Sequence, residues 1–341
     1  MSRPAPDAPR VLVVRFSSIG DVILVTPLLR ALRARHPAAE LAVLTKQRYV
    51  ELLQDNPRVS RVLGLAADEP LPALAARLRA ERYTHLLDLH GSLRSRALRL
   101  LVPGRWRGFR KHRLARSALI HAKRNLYPGL VPMAERYFRA ARDLDVTPDG
   151  GPPELFLGRP AIERVAGWLA RSGLGRDRPL LAVAPGAAHA TKRWPEERWI
   201  ALVRRLVHTG AEVAVVGGPE DRELCARVAA AGGARAASAA GEFGLQDTGA
   251  LIRRAAALVS GDTGVMHLAT AVGTPVVALF GPTVEAFGFF PYRARATVLE
   301  RRLPCRPCSS QGGARCPLGH HRCLVDIAPE EVAVAVDALV S

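Results

Sequence analysis

The sequence predicts an α/β protein of two domains, each a parallel sheet with helices on both faces. Three observations predict it. Apolar runs of strand length alternate with segments of helical period, the alternation stops and starts again, and VTPDGGPPELFLGRP, Val146 to Pro160, divides the two series with prolines and glycines suited to a linker. A chain of 341 residues is also too long for one ordinary core and long enough for two. The expected domains are 1–155 and 156–341, with a last helix at about 329–341 that packs back on the first. Two such halves present the carboxyl ends of their strands to a central cleft, where function is expected.

The first series runs VLVVRF, then a helix from Gly20 to Arg35; LAVLT, then Arg48 to Gln54; VLGL, then Leu71 to Glu81; HLLDLH, then a basic helix from Ser92. The second begins with LLAVAPG at Leu180, and continues with AEVAVVGG at Ala211, AALVSGDTG at Ala256 and PVVALFGPT at Pro275. Near-continuous apolar strands of this kind belong to sheets covered on both sides.

Composition narrows the class. Hydrophobic residues make up 48% of the chain, which argues for globular domains and against disorder. MSRPAPDAPR has no apolar signal-peptide core, and no run of about 18 apolar residues offers a membrane span, so a cytoplasmic protein is expected. The net charge is +18, and between Leu89 and Ala134 there is no Asp or Glu but a basic run from Arg94 to Arg124. Such a field attracts polyanions, whether nucleic acid, anionic lipid or a phosphorylated substrate, although part of it is a solvated face. A nucleic-acid-binding protein is disfavoured: aromatics are 5%, and no zinc finger, helix-turn-helix or aromatic RNA motif is present.

Polar residues cluster at the strand ends. In RFSSIGDVILVTP, Ser17 and Ser18 leave the first strand, Gly20 permits a tight path and Asp21 enters the first helical turn. Asp21 reads as a helix cap or, at a cleft-facing corner, as a catalytic carboxylate; Ser17, Ser18 and Gly20 are candidates for acceptor contact. In SGDTGVMHL, the small residues, the hydroxyl of Thr263 and the amides from Gly264 at a helix start make an anion cradle, with His267 on the first turn. The alternative is an aspartate cap with a glycine turn. Asp262 beside a phosphate is electrostatically wrong unless its carboxylate accepts sugar hydroxyls or fixes the loop. Lys192, just before WPEERW, can neutralise a diphosphate or be an ordinary surface lysine. In GGPEDREL, Glu220 or Glu223 can take ribose hydroxyls or cap a helix.

RFSSIGDVILVTPLLRAL, TKRWPEERW, GGPEDREL and SGDTGVMHLATAVGTPVVALFGPT, in that order, resemble glycosyltransferase family 9, the ADP-heptose:lipopolysaccharide heptosyltransferases. The resemblance runs from Val11 to about Leu339. It implies a GT-B architecture of two Rossmann-like domains, acceptor bound mainly by the first and ADP-heptose by the second. It further implies an inverting, metal-independent transfer of heptose to the inner core of lipopolysaccharide, with no cofactor required. Asp21 matches the general base, Lys192 the phosphate-binding lysine, and Asp262, Thr263, Gly264 and His267 the donor motif. The acceptor is then a Kdo-bearing, phosphorylated lipid, which gives the basic run a partner and implies peripheral attachment at the cytoplasmic face of the inner membrane. The cysteine-containing tail and GHHRCLVDI resemble the enzymes that add the second heptose more than those that add the first. Transfer of another nucleotide-activated sugar, and a non-catalytic sugar-nucleotide or lipid-binding module that dispenses with Asp21, are the competing readings.

Cys305, Cys308, Cys316 and Cys323 lie in CRPCSSQGGARCPLGHHRC, where the opening C-x-x-C favours a metal or redox role over a stable disulfide in a cytoplasmic protein. They form a candidate structural zinc site with His320 and His321 as spare ligands, with free thiols and, after them, an iron–sulfur cluster as the alternatives.

Overall fold

A computed structural model describes residues 8–341. The chain forms two compact units, one of residues up to Lys111 with Met133–Phe156, the other of His112–Pro132 with Leu157–Ser341.

The first unit holds five strands: β1 (Arg10–Val14), β2 (Glu40–Lys46), β3 (Arg61–Leu65), β4 (His85–Asp88) and β5 (Arg105–Gly108). They pair in parallel in the order β3-β2-β1-β4-β5. Val11 to Val14 are all essentially inaccessible, as a central strand covered on both faces requires. Leu12, Val14, Leu44, Leu74, Leu78, Leu86 and Leu98 join sheet and helices into one core. The helix expected from Gly20 to Arg35 is two helices, Ile19–Ile23 and Thr26–Arg35. Pro27 has no N–H to extend the first helix and sits instead in the opening turn of the second, while the Thr26 hydroxyl donates to the Ile23 carbonyl at 2.8 Å.

The second unit holds β6 (Leu180–Ala184), β7 (Glu212–Val215), β8 (Ala236–Ser238), β9 (Ala257–Gly261), β10 (Val276–Phe280) and β11 (Ala296–Glu300), parallel in the order β11-β10-β9-β6-β7-β8. Trp194 and Trp199 meet edge to face at 5.0 Å within its core. The last helix, Pro329–Val340, buries Val332, Ala333, Val336 and Leu339 in that same core, within the second unit. Its apolar stripe is complementary to the bare face of β9 and β10, which it covers. Residues 112–132, expected with the first domain, also pack in the second unit, where Ala115 and Tyr127 cluster with Ala286 and Phe287.

Candidate functional site

In an open parallel sheet the ligand crevice opens where the strand order reverses, beyond the carboxyl ends of the two central strands. In the first sheet that point lies between β1 and β4; in the second, between β6 and β9.

Beyond β1 stands Asp21, in the short helix Ile19–Ile23. Arg15 Nη2 approaches its Oδ1 at 2.5 Å and the Tyr137 hydroxyl donates to the same oxygen at 3.2 Å. The amide and hydroxyl of Ser18 donate to Oδ2 at 3.2 and 3.0 Å. Asp21 is therefore the third residue of a capping box whose N-cap is Ser18, as the helix-cap reading of the sequence had it. Burial pushes its carboxyl up, but the Arg15 charge and the Ser18 hydrogen bonds outweigh that and hold it below the usual carboxylate range. Burial keeps the Tyr137 hydroxyl protonated, far above its ordinary value. Beyond β4, His90 packs on Phe16 with ring centroids 4.9 Å apart, and its Nδ1 is buried without a partner. Burial, reinforced by Arg15 and Lys111, lowers its pKa to about 4, so it is neutral at pH 7. Asp88 Oδ1 receives the amides of His90 and Gly91 at 3.0 and 2.7 Å and shapes this loop. Ser17 turns its carbonyl to Arg15 Nε at 2.8 Å; Ser18 is exposed and Gly20 buried.

At the second switch point Lys192 follows β6 and Asp262 follows β9, and their side chains meet at 2.6 Å. The Thr283 hydroxyl donates to the same Asp262 oxygen at 2.6 Å. This resolves the misplaced carboxylate: Asp262 holds the lysine and the loop after β10. A Cβ on Gly261 would lie 3.1 Å from the Lys192 carbonyl, so the glycine admits the lysine-bearing loop to the end of β9. Thr263 caps the helix Gly264–Val272, whose first amides face outward from its N-terminus, and its hydroxyl lies 3.1 Å from that of Ser260. His267 is buried in this helix. Glu223 is almost fully exposed and lies 4.0 Å from Arg227, and Glu220 is exposed too. Asp221, between them, turns toward the loop just past β6: a Cβ on Gly186 would lie 2.1 Å from its Oδ2, which also accepts the Gly218 amide at 3.3 Å. Burial raises its pKa, and Glu220 adds to the effect. The three-dimensional register gives these three acids different surroundings.

A family model described as glycosyltransferase family 9 (heptosyltransferase) matches residues 71–317. The chain belongs to glycosyltransferase family 9. It is similar to lipopolysaccharide heptosyltransferase 2 of Salmonella typhimurium, 28% identical over 97% of this chain and 99% of the relative. Among solved structures, the ADP-heptose lipopolysaccharide heptosyltransferase II of E. coli is 28% identical, with a TM-score of 0.76 over 97% of this chain and 98% of that one. A family 9 glycosyltransferase of Veillonella parvula shares the fold at a TM-score of 0.83, over 99% of both chains. The fold is GT-B and the protein is a glycosyltransferase.

Two further segments of this family 9 chain are the cysteine cluster and the basic run. Cys305, Cys308, Cys316 and Cys323 are free thiols, Cys305 Sγ lying 4.0 Å from His320 Nε2, and among the described residues no three His, Cys, Asp or Glu are grouped to hold a metal ion. Burial pushes the Cys323 thiol up to about 11 and raises Cys308. The basic run is partly structural: Arg99 pairs with buried Asp88 at 2.9 Å and Arg107 with Asp143 at 2.5 Å, whereas Arg96, Arg110 and Arg124 are exposed. Among the described residues no helix is long and apolar enough to cross a membrane.

Proposed function

We propose that this enzyme transfers heptose from ADP-L-glycero-D-manno-heptose to the inner core of lipopolysaccharide, with inversion and without a metal ion. The acceptor hydroxyl attacks the anomeric carbon and yields its proton to Asp21. As that bond forms, the bond from the anomeric carbon to the diphosphate oxygen breaks. The charge on the leaving diphosphate is met by Lys192 and by the amides of Thr263 and Gly264 at the helix start. Asp221 accepts the ribose hydroxyls, in preference to Glu220 or Glu223. The observation that carries the reading is the Lys192–Asp262 pair at a helix N-terminus and strand-order reversal, in a family 9 chain.

The acceptor in this reading is a Kdo-bearing, phosphorylated lipid that already holds one heptose, in keeping with the name of the Salmonella relative. Peripheral attachment at the cytoplasmic face of the inner membrane is supported by the helix Leu93–Leu101, where Leu93 and Leu100 are 84% and 88% exposed beside exposed Arg96. Mass spectrometry of products from ADP-heptose and acceptors bearing Kdo alone or Kdo plus one heptose tests the proposal. A one-heptose gain on the second acceptor supports it; no gain on either overturns it.

A further inference from the structure

The carboxylate assigned as base has a buried side and an open side. On Oδ1 converge Arg15 and Tyr137, 8% and 0% exposed; on Oδ2 only the amide and hydroxyl of Ser18, an exposed residue. Arg15 is itself fixed. Its Nε donates to the Ser17 carbonyl at 2.8 Å, its Nη1 donates to the Leu89 carbonyl beyond β4, and its guanidinium lies 5.6 Å from the Tyr137 ring centroid. One side chain thus ties the end of β1 to the end of β4 and fixes the carboxylate between them. A helix cap requires none of this, since the bonds between Ser18 and Asp21 complete it. Burying a guanidinium and a phenol against one carboxylate oxygen costs desolvation that a cap does not repay.

We propose that Arg15 and Tyr137 are positioning residues that lock Oδ1 of Asp21 and leave Oδ2 as the oxygen that takes the acceptor's proton. The inference rests on the assignment of Asp21 as the base. The Ser18 hydroxyl, on the open side, rotates away as the acceptor hydroxyl replaces it, while the Ser18 amide keeps Oδ2 aimed. Since donors and positive charge stabilise the ionised carboxylate, the clamp also holds it unprotonated well into acid, which makes it a weak but always available base. The charged and titratable groups around it are Arg15, Tyr137 and His90, with Asp88 behind Arg15 and Arg136 beside Tyr137.

The test is kcat against pH for the full-length enzyme and its Tyr137→Phe, Arg15→Lys and Asp21→Asn variants, with ADP-heptose affinity measured in parallel. Tyr137→Phe keeps the ring and loses one donor to the anion, so the acid limb of kcat should move up by about one pH unit while donor affinity stays put. Arg15→Lys keeps the charge and loses the fork, and should lower kcat about 10- to 100-fold through misplacement of the base. If Arg15→Lys does not fold, Tyr137→Phe alone decides. Wild-type kcat and an unmoved limb in the folded variants, with Asp21→Asn inactive, would overturn the clamp and spare the base. Full activity in Asp21→Asn would overturn both.

Discussion

Lys192 Nζ lies 2.6 Å from Asp262 Oδ2, with the two side chains 15% and 8% exposed. Removing one member of so buried a pair leaves the other uncompensated, at a cost of about 3–5 kcal/mol. Lys192→Ala should therefore lower the melting temperature and also weaken ADP-heptose binding about tenfold or more, as loss of a charged hydrogen bond to phosphate predicts. Lys192→Met combined with Asp262→Asn should recover the melting temperature and leave the affinity low. Calorimetry and titration of the two variants separate the roles; wild-type affinity in either would remove Lys192 from the donor site.

Because a lysine and helix amides meet the leaving charge in the proposed mechanism, chelators should leave turnover unchanged. A rate abolished by chelation and restored by magnesium would contradict the metal-free mechanism.

Asp21→Asn keeps the shape of the corner and removes the base, so turnover should fall about 10²- to 10⁴-fold with donor affinity intact. Steady-state rates alongside titration with ADP-heptose check it, and a near-normal rate would leave Asp21 as a cap alone.

His90 makes the first unit sensitive to mild acid. Its folded pKa of about 4 lies below the ordinary 6.5, so between those values the unfolded chain binds the extra proton and the folded one does not. That contribution is complete above about pH 6.5 and is lost as the pH falls toward 4. Urea unfolding at pH 7 and pH 5 should show a smaller stability loss in His90→Gln than in wild type; equal losses would mean that His90 protonates freely in the fold.

The exposed leucines of the helix Leu93–Leu101 give the membrane reading a direct check. Leu93→Ser with Leu100→Ser should reduce sedimentation with anionic phospholipid vesicles, and Arg96→Glu should do so most at low salt, since the attraction decays over a Debye length of about 8 Å at physiological ionic strength. Unchanged sedimentation of both variants would return this face to ordinary solvated surface.

Local pattern determined much of this protein. Eight strands stand out as apolar runs, and the corners holding Asp21, Lys192 and Asp262 are legible because small, polar and charged residues interrupt those runs where a buried strand must end. Strands β5, β8 and β11 escape such reading: RWRG, AAS and ATVLE are edge strands, half-buried or exposed, and carry little hydrophobic signal. The place of residues 112–132 in the second unit was also out of reach, because an apolar stripe does not name the surface it will cover. The same limit holds at the sites. Tyr137 lies 116 positions from Asp21, and no local rule pairs them. Asp221 is set apart from Glu220 and Glu223 by the direction its turn gives it as well as by its shorter side chain. Sequence determined which residue types gather at the strand ends, since that follows from burial and backbone chemistry along the chain. Tertiary structure decided which atom meets which, since hydrogen bonds and ion pairs depend on ångström distances set by the packing of segments far apart in the chain.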